Sequence, residues 1–383
     1  MPTALSAQIS AANRLTARWC AAAGTGDFVL SGCGAWPLLA LLASAADEPG
    51  RGELAAATGI PADHGHDLAL DLLRTLTDSE SVSAALGLWV RRDLPLRPDW
   101  SRSLPAGIVQ ALTDQAALDN WASRHTDGLI EKFPLPIDAG TVLVLATALA
   151  ARTTWLQPFH RTTMEVADGP WRGYTGPALR RFSSHPRDAC VLGAAHPVTR
   201  VIIYGTGDLD VHLLLGDGSP GTVLTTGLAA LDGAAPIRAD LPAGTVAPGL
   251  RVTAATDHGQ GDTLETLVPP FEIRSLHNLI EQSALFGLST VTDSARGHFP
   301  AMSEHPLYVD QAAQDVFARF TETGFDAAAV TALAMRLGSA RFPKPGHTVL
   351  QTKVTFDRPF GFVATHRPTR LAVVAGWVAQ PGR

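Results

Sequence analysis

The sequence predicts an α+β fold, and two patterns lead there. Apolar residues at helical spacing dominate the first third. From Trp171 onward, short alternating or β-branched runs are separated by Gly, Pro and Asp turns. No internal repeat and no low-complexity linker marks a place where a second domain would detach. Residues 1–383 therefore read as a single large domain.

Taken in order, Ala4 to Ala23 has helical spacing and stops at Gly24-Thr25-Gly26. Phe28 to Ser31 is a short strand. A helix runs from Trp36 to the break at Pro49-Gly50, and another from Gly52 to Thr58. Ala85 to Val90 is a strand. Asp119 to Phe133 is an amphipathic helix with Trp121, Leu129, Ile130 and Phe133 available to pack. Thr141 to Leu149 is almost wholly apolar, the pattern of a central strand covered on both faces. Strands follow at Val201–Tyr204 and Val211–Leu215, then a helix at Val223–Leu231. Phe271–Ile273 is a strand leading into a helix from Leu276 to Phe286. Three more strands are expected at Val354–Phe356, Phe360–Ala364 and Leu371–Gly376.

One stretch breaks the rhythm. In Thr321 to Phe362 a run of small residues, Ala327 to Thr331, precedes a period-two segment in which Leu333, Met335 and Leu337 share a face. A polar, Pro-rich connection then runs to a new strand near Thr348. A loop of that size is either functional or disordered.

Composition narrows the function. Hydrophobic residues at 46 % and charged residues at 17 % belong to a globular protein with an ample core. A net charge of −6 without a Lys/Arg cluster argues against a nucleic-acid surface. Lysine occurs only at 132, 344 and 353, and the Ala, Gly and Pro content points to a GC-rich bacterial genome. Cys20, Cys33 and Cys190 contain no C-x-x-C and read as buried thiols. No basic segment followed by an apolar one opens the chain, and no apolar run is long enough to span a bilayer, so a soluble, cytoplasmic protein is expected.

Three constellations carry little chemistry. Gly216-Asp217-Gly218-Ser219-Pro220-Gly221 matches G-x-G-x-x-G with Asp240 beyond it, but Pro220 removes a donor that a phosphate would need. It reads as a turn. Asp63-His64-Gly65-His66-Asp67 does not set both imidazoles on one helix face and fixes no third ligand. It reads as an exposed polar helix start. No G-x-S-x-G elbow supports a hydrolase among the scattered Ser, His and Asp residues, and the chain is read as no enzyme, with no cofactor or metal.

Several segments, in order, resemble the serpin family. Phe28 to Gly59 is similar to its early strand and helix, where S-P-x-S is usual. Ser31 fits, whereas Gly32 and Gly34 replace the Pro and the second Ser. Asn120-Trp121, Thr126, Gly128 and Ile130 match N-W-x4-T-x-G-x-I. TVLVLATALAARTTWLQPF resembles the T-V-L-V-L-x-N-A signature, with Trp155 and Phe159 in place but Thr147 replacing the Asn. PPFEIRSL resembles P-K-F-x-I, Thr321 to Thr331 the hinge E-x-G-x-x-A-A-A-x-T, and FDRPFGF and AGWVAQP the terminal motifs.

The resemblance implies a serpin fold: three β-sheets, a cluster of about eight or nine helices and a reactive-centre loop at about 322–348. It implies a monomeric inhibitor of a serine or cysteine protease acting as a suicide substrate, with no nucleic-acid or membrane partner. Serpins are commonly extracellular, an alternative location here. The hinge would be Glu322, Gly324, Phe325, Ala327, Ala328, Ala329 and Thr331. The scissile bond would fall among Arg336, Leu337, Gly338, Ser339 and Arg341, and Trp155, Ser31 and Thr147 would stand at the breach and shutter.

Two departures stand out. Phe325 falls on the inward phase, where inhibitory members have a small residue. Overpacking of about 1–3 kcal/mol would then be met at the first step of insertion. Gln314 replaces a His expected near Trp155. The alternative reading is a non-inhibitory serpin-fold protein whose loop is cut as a substrate or is already inserted.

Overall fold

A computed structural model describes residues 6–193, 195–257, 261–326 and 347–382. Helix α1 (Ala7–Ala22) buries Ile9, Leu15 and Trp19. Strand β1 (Phe28–Leu30) leads into α2 (Gly32–Ala45), which is apolar nearly all round because it lies inside the fold. It begins before Trp36 because Ser31 caps it, its side chain accepting from the Gly34 amide. Then come α3 (Gly50–Thr58), α4 (Gly65–Thr77), β2 (Val82–Val90), α5 (Pro98–Ser103), β3 (Val109–Ala111) and α6 (Gln115–His125).

Asp114 caps α6, and the helix stops well short of Phe133 because Asp127 and Gly128 take left-handed φ values of 51° and 82°. Next are β4 (Leu143–Ala151), β5 (Thr153–Thr154), β6 (His160–Glu165), β7 (Thr175–Ser183), β8 (Ala189–Leu192), β9 (Val198–Tyr204), β10 (Leu209–Gly216) and α7 (Pro220–Leu231). The chain continues through β11 (Ile237–Arg238), β12 (Val246–Ala247), β13 (Leu250–Asp257), β14 (Thr263–Val268), β15 (Phe271–Asn278) and α8 (Ser283–Phe286). It ends with β16 (Ala313–Phe320), β17 (Gly324–Asp326), β18 (His347–Thr355), β19 (Phe360–His366) and β20 (Leu371–Val378). The helix expected from Leu276 is instead strand through Asn278. All of β15 pairs with β16, and those ladder bonds outweigh local helix spacing.

The strands form a seven-stranded sheet (β1-β20-β19-β10-β9-β8-β11) and a six-stranded one (β12-β13-β18-β14-β7-β6). A four-stranded group (β15-β16-β17-β5) and a three-stranded group (β3-β2-β4) complete the set. Only Arg152 separates β4 from β5, so the last two groups are halves of one sheet, joined at one end and parted along β4 and β16. The parting explains why β4 is not covered on both faces as expected. Val144, Ala146 and Ala148 are buried beneath α6 with Trp89, Trp121 and Phe133, while Leu143, Leu145, Thr147 and Leu149 are only half-buried.

Candidate functional site

The two halves of the split sheet meet at a short seat for the chain leaving β16. Residues 321–323 turn, and β17 returns beside β16 with Phe320 opposite Phe325 and Arg319 opposite Asp326. On its other side β17 pairs with β5, Gly324 opposite Thr154 and Phe325 opposite Thr153. A Cβ on Gly324 would lie 2.4 Å from the Thr153 carbonyl oxygen, so only glycine fits this crossing.

Trp155 clasps the turn. Its backbone amide donates to the Thr323 carbonyl and its indole N–H to the Thr321 carbonyl, each at 2.9 Å. The Phe159 amide donates to the Glu322 carbonyl at 2.9 Å, and Arg161 Nε reaches the Glu322 carboxylate at 2.8 Å. Partial burial raises the Glu322 pKa, but the Arg161 hydrogen bond, a backbone hydrogen bond and the Arg161 charge together outweigh it and hold the carboxyl below its usual range. Beneath the seat Trp155 and Phe159 pack on Phe320, with ring centroids 4.9 and 5.5 Å apart. Arg181 sits over Phe159, its pKa lowered to about 10 chiefly by burial.

Phe325 points inward and is 2 % exposed, its ring 6.1 Å from Phe362. The ring expected to overpack the sheet is therefore accommodated there, and it lines the open gap directly beside it.

That gap, about 460 Å³, runs between β4 and β16. Leu145 and Leu149 form one wall, Phe317 the other, and Leu38 of α2 the floor. The amino-terminal end of α2 ties both walls. Thr147 Oγ1 donates to the Gly34 carbonyl at 2.6 Å. Gln314 embraces Ser31, its Nε2 donating to the Ser31 carbonyl at 2.8 Å and its Oε1 accepting from the Ser31 amide at 2.9 Å. Ser31 Oγ in turn donates to the Val373 carbonyl at 2.7 Å. Gln314 thus belongs with Ser31 and Thr147, at the opposite end of β16 from Phe320 and Trp155, not beside Trp155 as the sequence suggested.

The discounted constellations behave as ordinary structure. Ser219 caps α7 and Asp217 pairs with Arg358, so 216–221 is a turn into a helix. Asp63 pairs with Arg51 and His66 contacts the Ser103 carbonyl. Among the described residues no group of three or more potential metal ligands is found. Ser79, Asp208 and His366 do meet, but the acid lies between the other two. The serine hydroxyl faces the carboxylate, not the imidazole that would have to activate it. All three cysteines are free and buried, and burial pushes the Cys33 thiol up to about 12.

A family model described as Serpin (serine protease inhibitor) matches residues 6–168 and 250–381. The chain belongs to the serpin family. A relative from Oryza sativa subsp. japonica, putative serpin-Z12, is 25 % identical over 96 % of this chain and 89 % of its own length. The fold is similar to that of a thermophilic serpin, Tengpin, in its latent state, with a TM-score of 0.72, 15 % identity and full coverage of both chains. It is also similar to cleaved Serpin 42Da, with a TM-score of 0.71, 14 % identity and 98 % of each chain covered. At these identities the structures establish the serpin fold alone.

Within the described residues this serpin has eight α-helices, and no helix is long and apolar enough to cross a membrane. Of the residues singled out from sequence, Ser31 and Thr147 converge on the α2 end, and Trp155, Glu322, Gly324 and Phe325 on the seat. Ala327, Ala328, Ala329, Thr331, Arg336, Leu337, Gly338, Ser339 and Arg341 lie outside the described residues. Arg161 and Arg181 were missed. Nothing in the sequence places either near Glu322, since β6 and β7 reach the seat only through tertiary packing.

Proposed function

We propose that this serpin inhibits a serine or cysteine protease as a suicide substrate. The protease attacks the connection between β17 and β18, and the freed segment adds to the split sheet between β4 and β16. Strand addition to an open sheet is a recurring recognition mode, of which serpin loop insertion is a known case. One observation carries the reading: β17 is a strand already begun, paired on both sides, at the head of an unfilled gap.

Extending its two registers supports the same reading. Ala328 would fall between Ala150 and Phe317, Thr331 between Thr147 and Gln314, and Leu333 beside Leu145. The inward phase set by Phe325 would carry Ala327, Ala329, Thr331, Leu333, Met335 and Leu337 toward the α2 floor. Burying the last three contributes about 1.5–3 kcal/mol each toward insertion. The small residues come first, where the gap is closest to the paired seat.

The reading is tested by incubation with trypsin, subtilisin and elastase, followed by denaturing gel electrophoresis. An adduct that survives SDS is expected with at least one of them. Cleavage by all three without any adduct favours a second reading, a loop that is only a substrate. The ties of Thr147 and Gln314 to α2 favour that alternative, because they resist widening of the gap.

A further inference from the structure

The gap has a roof as well as a floor. Between α6 and β4 the chain follows residues 127–141 along the outer side of the sheet. Asp127 is ion-paired with Arg152, just past the end of β4, at 3.1 Å, and the far end of the segment leads into the start of β4. The strap thus spans the length of that strand. Its Leu129, Ile130, Leu135 and Ile137 line the gap together with the two walls.

The strap has no helix or strand of its own, yet three of its backbone groups are held by two α6 side chains. Asp119 Oδ1 accepts from the Phe133 amide at 2.9 Å. Gln115 Nε2 donates to the Leu135 carbonyl at 3.2 Å, and its Oε1 accepts from the Ile137 amide at 2.9 Å. Gln115 Nε2 also donates to Asp119 Oδ1 at 3.1 Å, so the two side chains act as one clip. They sit one helical turn apart, facing the same way.

A strand entering between β4 and β16 would project alternate side chains to both faces of the sheet. Those on the outer face need the space that Leu129 and Ile130 now line. The roof must therefore rise before the sheet can close around a new strand. We propose that Gln115 and Asp119 are positioning residues that set the rate of strand uptake by holding residues 127–141 down. This inference rests on the reading that the gap receives a strand.

The test uses the intact protein and a synthetic peptide copying residues 324–337, with uptake followed by native gel and melting temperature. Gln115→Ala and Asp119→Ala should each take up the peptide at least tenfold faster than the parent. Asp119→Asn, which keeps the acceptor oxygen, should stay at the parent rate. In the parent protein, hydrogen exchange should show the Phe133 and Ile137 amides losing protection during uptake and regaining it afterwards. This measurement holds even where an alanine variant fails to fold. Equal rates in all variants with both amides protected throughout would overturn the role of the clip while leaving the gap as a strand site. No uptake by any variant or the parent would remove both.

Discussion

Replacing Phe325 with alanine tests the seat most sharply. The ring is buried against Phe362, in a strand anchored on both sides and beside an open gap. Phe→Ala in a core costs about 3–5 kcal/mol, the upper part arising where the surroundings cannot collapse. Here the gap already prevents collapse, so the loss of transfer energy adds to an enlarged void. We expect a loss of about 4–5 kcal/mol in urea unfolding.

The functional effect should follow the same sign. Without its anchor β17 leaves the seat, and insertion must start from an unpaired hinge. The proportion of SDS-stable adduct to cleaved product should therefore fall. Phase alone argues the reverse, since a smaller residue would relieve overpacking and raise that proportion. A loss below about 1 kcal/mol together with an increased proportion of adduct would refute the seat and restore the overpacking argument.

Three further outcomes follow from the same geometry. Gln314→Ala strips two partners from the Ser31 backbone and should cost about 1–3 kcal/mol in denaturant unfolding. Thr147→Val, losing one bond to Gly34, should cost less. Trp155→Phe keeps an aromatic side chain but removes the second ring and the indole donor to Thr321, so faster exchange of the Gly324 amide is expected with about 2–4 kcal/mol of stability lost.

Glu322 gives a pH dependence. Its folded pKa lies below the ordinary 4.5, so its stabilising contribution is present above that value and is lost as the pH falls through the folded pKa. Because the Arg161 side chain is 79 % exposed, the contribution is at most about 1 kcal/mol. Proteolytic nicking near residue 322 should accelerate below pH 4.5, and Glu322→Gln should abolish that acceleration.

Much of the site was legible because its residues lie in recognisable motifs. Ser31, Trp155, Glu322 and Gly324 were reached through the resemblance to serpin segments, and the alternation through Phe325 pointed to the inward phase. What could not be read is which distant side chains meet. Gln314 was assigned to Trp155 because a substitution in a motif gives no direction along β16, and only pairing with β15 fixes which end faces α2. The helix proposed to Phe133 failed for a local reason: apolar spacing continues past Thr126, but Asp127 and Gly128 turn left-handed and convert the rest into the strap. Thr141 to Leu149 looked like a strand covered on both faces because period and polarity cannot distinguish a packed neighbour from an open gap.

The central claim is that the gap between β4 and β16 is filled by the chain that follows β17. It is tested most directly by cutting once within residues 338–346, beyond Leu337, and measuring the melting temperature of the nicked protein. Burial of Leu333, Met335 and Leu337 at about 1.5–3 kcal/mol each, at roughly 1 °C per kcal/mol for a chain of this length, predicts a rise of about 5–10 °C. An unchanged or lowered melting temperature would contradict the account.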